Sequence, residues 1–342
     1  MNPDNPNPAF AGAGRQYYPA LDGLRGLAIL LVVIYHNFGF INYFFFGWLG
    51  VDLFFVLSGF LITDILLKTL GSPGYLKSFY IRRILRIFPV YYLSLVIFLL
   101  VLPHFNTGLD LTYYTENQVW LWTYLQNWLY IFKDAGKTET LHHLWSLAVE
   151  EQFYLLWPLA ILLIRKPRRL LLFISCLLLA VVSLRFWVWE NKITDLAYFN
   201  LYTFSRIDGI CIGCIIALLQ KINRDFLTRY TSPVVLFFAG VNFLFFFINR
   251  KNEFPYLAIA GYTTFAMLFG LLVNETVLGK TRLFNFIFGM PFMRFFGRIS
   301  YGLYIFHWPV YLFFFPLFTG FFKTRINFPD PQSIVIRPFD AS

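Results

Sequence analysis

Charged side chains are what this sequence has least of. Asp, Glu, Lys and Arg together make up 13% of its 342 residues, about half the share of a soluble domain. Hydrophobic residues take 58% and aromatic residues 22%, and mean hydropathy is +0.61. So little charge cannot cover a water-soluble surface, which excludes a soluble domain and leaves a polytopic membrane protein. Cysteine is scarce too. Cys176, Cys211 and Cys214 are the three, and they make no disulfide framework. The CIGC pair, Cys211 and Cys214, sits in an apolar run without partner ligands, so it reads as two small buried hydrophobes rather than a redox or metal centre. The first twenty residues, MNPDNPNPAFAGAGRQYYPA, lack a basic region ahead of an apolar run. That excludes a cleaved signal and leaves residues 1–17 as a short disordered tail. Long repeats and low-complexity runs are missing as well.

What the chain does have is apolar runs of bilayer length, about 20 residues each. They fall near 24–44, 48–67, 88–103, 145–164, 170–189, 198–219, 233–248, 255–273 and 299–320. Segment 118–132, QVWLWTYLQNWLYIF, is apolar but short: a tenth crossing, a re-entrant piece or an interfacial helix. The expected fold is therefore all-α, a transmembrane bundle of about nine or ten spans over residues 18–320, with a C-terminal tail at 321–342. Net charge is +10. The bases cluster beside apolar spans, as topology signals do, so nucleic acid is not the expected partner. The basic stretch KTLGSPGYLKSFYIRRILRIFP after the second span belongs on the cytoplasmic side, which puts the N-terminus there too.

Ionisable residues at bilayer depth cost at least about 2.5–3.5 kcal/mol on insertion scales, so each is a candidate for function. Arg25 and His36 stand eleven residues apart on the first span, which returns them to one face with a rise of roughly 16 Å. Lipid would reject that stripe, so it lines a protein-enclosed cavity. Asp52, at the start of the second span, lies near His36 across a short loop and is placed either to orient the imidazole or to cap its own helix. Arg82, Arg83 and Arg86 in FYIRRILRIFP read equally as a lipid-headgroup helix or as an anion trap. Glu150 and Glu151 in LWSLAVEEQFYLLWP point about 100° apart, so at most one faces a given cavity squarely. Arg206 and Asp208 in SRIDG are spaced to pair with each other, and His307 precedes Pro309 in the last span. Asp64 and Arg185 lie near span ends, where snorkelling explains them.

The ordered set LDGLRGLAILLVVIYH, GVDLFFVLSGFLI, FYIRRILRIFP, LWSLAVEEQFYLLWP, SRIDGICIG and GRISYGLYIFHWP resembles the acyltransferase-3 family of bacterial membrane acyltransferases over about residues 18–312. The resemblance implies acyl transfer, most often of acetyl from cytoplasmic acetyl-CoA, onto a hydroxyl of a glycan or lipid-linked saccharide, in the bacterial inner membrane. It further implies catalytic roles for His36, Asp52, Glu150 and Glu151, with His36 as base or acyl carrier. Arg25, Arg83 and Arg86 would hold the donor's phosphates, and Arg206, Asp208 and His307 would face the acceptor. No metal is implied. Some relatives carry an extracytoplasmic domain after the membrane part; a soluble transfer partner, where needed, would here be a separate chain. The competing class is a transporter or flippase for a lipid-linked saccharide, which intramembrane charge suits equally well. Transporters often show internal repeats, and none is visible here. A scaffold without chemistry is the third reading.

Overall fold

The structure is a computed structural model. It describes residues 18–38, 46–105, 107–133, 140–191, 203–224, 227, 234–235, 237–242, 244, 261–279 and 281–322. Residues 1–17 and 323–342 of the two expected tails, the end of the span near 24–44, the start of that near 198–219, much of that near 233–248 and the first residues of that near 255–273 lie outside the described residues; 321–322 continue the last helix.

Among the described residues the chain is helical, without strands. The long elements are α1 (Pro19–Phe38), α2 (Leu49–Thr69) and α3 (Tyr75–Leu95), the last prolonged by wider and tighter turns to His104. Three short helices follow: α4 (Thr112–Glu116), α5 (Gln118–Trp122) and α6 (Gln126–Phe132). Then come α7 (Trp145–Ile164), α8 (Pro167–Glu190), the single turn α9 (Thr203–Arg206), α10 (Asp208–Ile222), α11 (Tyr262–Leu278), α12 (Arg282–Gly289) and α13 (Pro291–Phe322). Five helices among the described residues are long and apolar enough to cross a membrane, and α11 with α12, bent by 92°, forms a further candidate. Helices satisfy every interior backbone group within one segment, which is why an apolar chain can cross lipid in this form.

Segment 118–132 is not one crossing helix. It is broken at Thr123–Tyr124 into α5 and α6, of five and seven residues, each roughly 10 Å or less in length against a core of about 30 Å. Tyr124 holds a positive φ of 56° at the break. The pieces are tied down by Tyr91, whose hydroxyl donates to the Leu121 carbonyl at 2.8 Å, and by Gln126, whose amide donates to the Leu144 carbonyl at 2.8 Å. Non-helical backbone at membrane depth is tolerated where protein supplies its partners in this way.

Two close helix contacts set the frame. α1 packs along α12 and α13, and α2 along α10. Gly209 and Gly213 of α10 form a GxxxG face, and a Cβ built on Gly213 would stand 2.1 Å from the Val56 carbonyl oxygen of α2. Gly59 of α2 answers: its Cβ would stand 2.0 Å from the Ile210 carbonyl oxygen. Small residues are how membrane helices approach without a hydrophobic driving force. Cys214 belongs to the same seam, its thiol against the Gly59 carbonyl at 3.5 Å. Gly213→Ala is expected to lower the melting temperature in detergent, because backbone must move. Gly302→Ala, where a Cβ meets nothing within 4 Å, is expected to be neutral or stabilising by up to about 1 kcal/mol. Equal melting of the two variants would remove the seam's importance.

Candidate active site

The polar residues of three helices fall in the same order. On α1, Arg25 near the start and His36 near the end are separated by roughly 16 Å of rise. α13 runs parallel to α1: the Arg25 guanidinium donates to Ser300 Oγ at 3.3 Å, and the His36 ring centre lies 4.9 Å from that of His307. α7 runs the other way. His143, on the turn just before it, lies 6.4 Å from His36 and 5.1 Å from His307, centre to centre. About a turn and a half into α7, Glu150 accepts a hydrogen bond from Ser58 Oγ of α2 at 2.5 Å, and Tyr154 donates to the same Ser58 at 2.6 Å. The Arg83 guanidinium of α3 stands 3.9 Å above the Tyr154 ring. A polar strip thus runs from a histidine end, past a carboxylate, to an arginine end.

At the arginine end, Arg25, Arg83 and Arg86 are electrostatic neighbours, with Asp22 and Glu150 as the nearby counter-charges of Arg25. The ion pairs among the described residues are Lys68–Asp64, Arg185–Asp208 and Arg206–Asp52, so none of the three guanidiniums is in one. Arg83 Nε is buried without a partner. Glu151 and Glu150 are likewise the nearby carboxylates of Arg83, so the three guanidiniums stand among three carboxylates without forming an ion pair with them. Arg82 and Arg86, one helical turn apart on α3, are both exposed, while Arg83 is half-buried.

The two glutamates part company. Glu150 is held by the Ser58–Tyr154 relay. Glu151 makes no hydrogen bond among the described residues; it stands near Arg83 and among Tyr91, Tyr92, Tyr124 and Tyr301. The next residue, Gln152, has a structural duty: its amide nitrogen donates to the Tyr124 carbonyl and Asn127 Oδ1, both at 2.9 Å, fastening the broken segment to α7.

At the histidine end the rings hold defined tautomers. A carbonyl only accepts, so the ring nitrogen facing it carries hydrogen. His36 Nδ1 donates to the Val32 carbonyl at 2.9 Å, His307 Nδ1 to the Tyr304 carbonyl at 2.7 Å and His143 Nε2 to the Ile305 carbonyl at 3.1 Å. The chain has five histidines. Three meet here, and His142 is an electrostatic neighbour of His36. His143 escaped the sequence reading, because HHLWS places it outside any apolar run and nothing local joins it to His36. Pro309 was the available signal. Proline has no N–H, so it leaves the carbonyl four residues earlier, that of Ile305, without its helical partner. His143 fills that vacancy.

Three expectations need correction. Asp52 does not orient His36. Its Oδ1 accepts from Arg206 at 2.8 Å, both residues being nearly inaccessible. Nor do Arg206 and Asp208 pair with each other: two helical steps turn them about 200° apart, so Asp208 pairs with Arg185 at 3.0 Å on the other side. Arg185 does not snorkel; it is fully buried, and it also donates to Thr263. Arg206 further stacks 3.9 Å over Tyr262. These four charges tie α2, α8, α9, α10 and α11 together.

A multi-pass helical membrane protein with an arginine cluster and a histidine cluster at opposite ends of one polar strip is thereby defined. Residues 18–335 match the Acyltransferase domain family, and the chain belongs to that family. It is 32% identical over 314 residues to the peptidoglycan O-acetyltransferase OatA of Listeria monocytogenes, covering 86% of this chain and 50% of that protein. It is 33% identical over 316 residues to the putative peptidoglycan O-acetyltransferase YrhL of Bacillus subtilis, covering 86% and 49%. A putative O-acetyltransferase of Staphylococcus aureus (strain COL) is 33% identical over 318 residues, covering 86% and 51%. The chain therefore spans about half the length of these relatives. No solved structure matches it.

Proposed function

We propose that the chain is a membrane O-acyltransferase that moves an acyl group, acetyl in the first instance, from cytoplasmic acyl-CoA to a hydroxyl of a cell-envelope glycan or its lipid-linked precursor. The observation that carries this reading is the shared order along α1 and α13: Arg25 with Ser300 at one end, His36 with His307 at the other. Coenzyme A is a polyanion on a flexible arm that ends in a thioester. Arg25, Arg83 and Arg86 suit its phosphates, and the strip leads its reactive end toward His36. His36 suits either a general base on the acceptor hydroxyl or a transient acyl carrier. Two of the relatives are named for peptidoglycan, which makes a peptidoglycan hydroxyl the acceptor to test first. The arginine end would face the cytoplasm and the protein would sit in the bacterial inner membrane. A separate extracytoplasmic partner would receive or pass on the group where the acceptor lies beyond the membrane.

The test is transfer of label from acetyl-labelled acetyl-CoA into the glycan and lipid fractions of membranes carrying the native chain. Arg83→Ala and Arg86→Ala are expected to raise the KM for acetyl-CoA about tenfold or more each, the size of a lost hydrogen bond to a charged group, while the KM for acceptor stays put. Unchanged KM for the donor in both variants would remove the anion trap from the reading. Saccharide moved across the membrane without any acyl-CoA would favour transport.

A further inference from the structure

The cluster at the histidine end contains more bases than one transfer step needs. His36, His143 and His307 each spend one ring nitrogen on a main-chain carbonyl. Each therefore presents its other nitrogen bare. His143 Nδ1 and His307 Nε2 are buried without any partner, in residues only 4% and 6% exposed. Buried polar atoms are nearly always satisfied, so two orphaned acceptors side by side point to something that arrives during function. His36 differs, being only partly buried. It is the ring a substrate meets first, with the other two behind it.

The surroundings say what arrives. Around the cluster stand Tyr35 and Trp308 against His36, Tyr304 against His143 and His307, and His142. The Tyr304 hydroxyl is already spent, donating to the His143 carbonyl at 2.8 Å and lying 2.6 Å from Ser146 Oγ. No carboxylate or guanidinium pairs with any of the three rings among the described residues. The bare nitrogens do not converge as ligands either: no group of three or more His, Cys, Asp or Glu among the described residues is arranged to hold a metal ion. What three bare imidazole nitrogens without a counter-charge accept is a single proton. A second would put two imidazolium rings in contact.

We propose that His36, His143 and His307 act as one unit that holds a single mobile proton during acyl transfer, with His143 and His307 as positioning residues acting through His36. The proposal rests on the acyltransferase reading, in its direct-transfer form. The acceptor hydroxyl loses its proton to His36 Nε2 as its oxygen bonds to the acyl carbon. The carbon–sulfur bond breaks and coenzyme A leaves as a thiolate. The proton, shared meanwhile with His143 Nδ1 and His307 Nε2, returns to the thiolate sulfur, and all three rings end neutral. Pro309 sets the arrangement, because the Ile305 carbonyl it leaves free fixes His143 in the tautomer whose Nδ1 is bare.

Two substitutions separate proton holding from mere support. Glutamine at 143 keeps an N–H for the Ile305 carbonyl but offers no comparable base; alanine keeps neither. In membranes given acetyl-labelled acetyl-CoA, His143→Gln is expected to melt like the native chain in detergent yet transfer label about a hundredfold more slowly. His143→Ala is expected to lose both. His307→Asn, whose side-chain nitrogen takes the place of Nδ1 and keeps an N–H for the Tyr304 carbonyl, should behave as His143→Gln does, and it decides the matter where a variant at 143 fails to fold. Transfer within twofold of native in a folded amide variant, His143→Gln or His307→Asn, overturns the proposal alone. Native membranes that transfer no label overturn the acyltransferase reading, and the proposal with it.

Discussion

Membranes carrying His36→Ala are expected to transfer labelled acetyl roughly a thousandfold more slowly than native membranes at equal expression, within the range for loss of a general base. The size follows from position. Of the three clustered rings, His36 alone is partly open, while His143 and His307 are buried behind it. Neither can move forward to replace it, because each is tethered to the backbone of α13. The fold should survive, since the ring's one hydrogen bond is to the Val32 carbonyl of its own helix. A folded His36→Ala protein without transfer would also exclude a scaffold. Transfer that persists would take His36 out of the chemistry, and two imidazoles at about 5 Å would then have to act without the only ring open to substrate.

Much of this was legible from residues that share a helix. Arg25 and His36 were readable as one stripe because eleven steps of 100° close on themselves, and α13 duly meets both ends of that stripe. The all-helical membrane fold followed from composition, although part of the expected nine or ten spans lies outside the described residues. What failed was pairing between helices. Asp52 seemed to belong to His36 because a short loop joins their helices, yet Arg206, 154 positions away, takes it. Periodicity carries no information on such a choice. His143 was missed for the same reason. Gly23, Gly26 and Gly297 were not singled out in the sequence, where nothing local tells what they are for. The structure uses them to bring backbones together, a Cβ on Gly297 standing 1.7 Å from the Asp22 carbonyl oxygen. Close packing there lets Arg25 reach Ser300.

Arg206→Met is expected to be the most destabilising single change, by roughly 3–5 kcal/mol, because it strands Asp52 as an unpaired buried carboxylate. The pair is 2.8 Å apart with side chains 3% and 1% exposed, and water cannot reach in to replace the lost partner. Removing both charges should be far milder. Asp52→Leu with Arg206→Met replaces an ion pair by apolar volume, an exchange often neutral or stabilising in protein interiors. The neighbouring Arg185–Asp208 pair remains balanced, so the network stays neutral. The measurement is thermal melting in detergent micelles of both single variants and the double. A low melting point for Arg206→Met that the double variant largely restores identifies a structural lock joining α2 to α9. The result that would sink it is Arg206→Met melting like the native chain while its KM for acceptor rises, since Arg206 would then be free to bind substrate. The lock has a bearing on the chemistry even without touching substrate. α2 carries both Asp52 and Ser58, the hydroxyl that holds Glu150. An α2 loosened at Asp52 would also loosen Glu150, the carboxylate nearest the middle of the strip, so transfer in Arg206→Met should fall along with stability and return with it in the double variant.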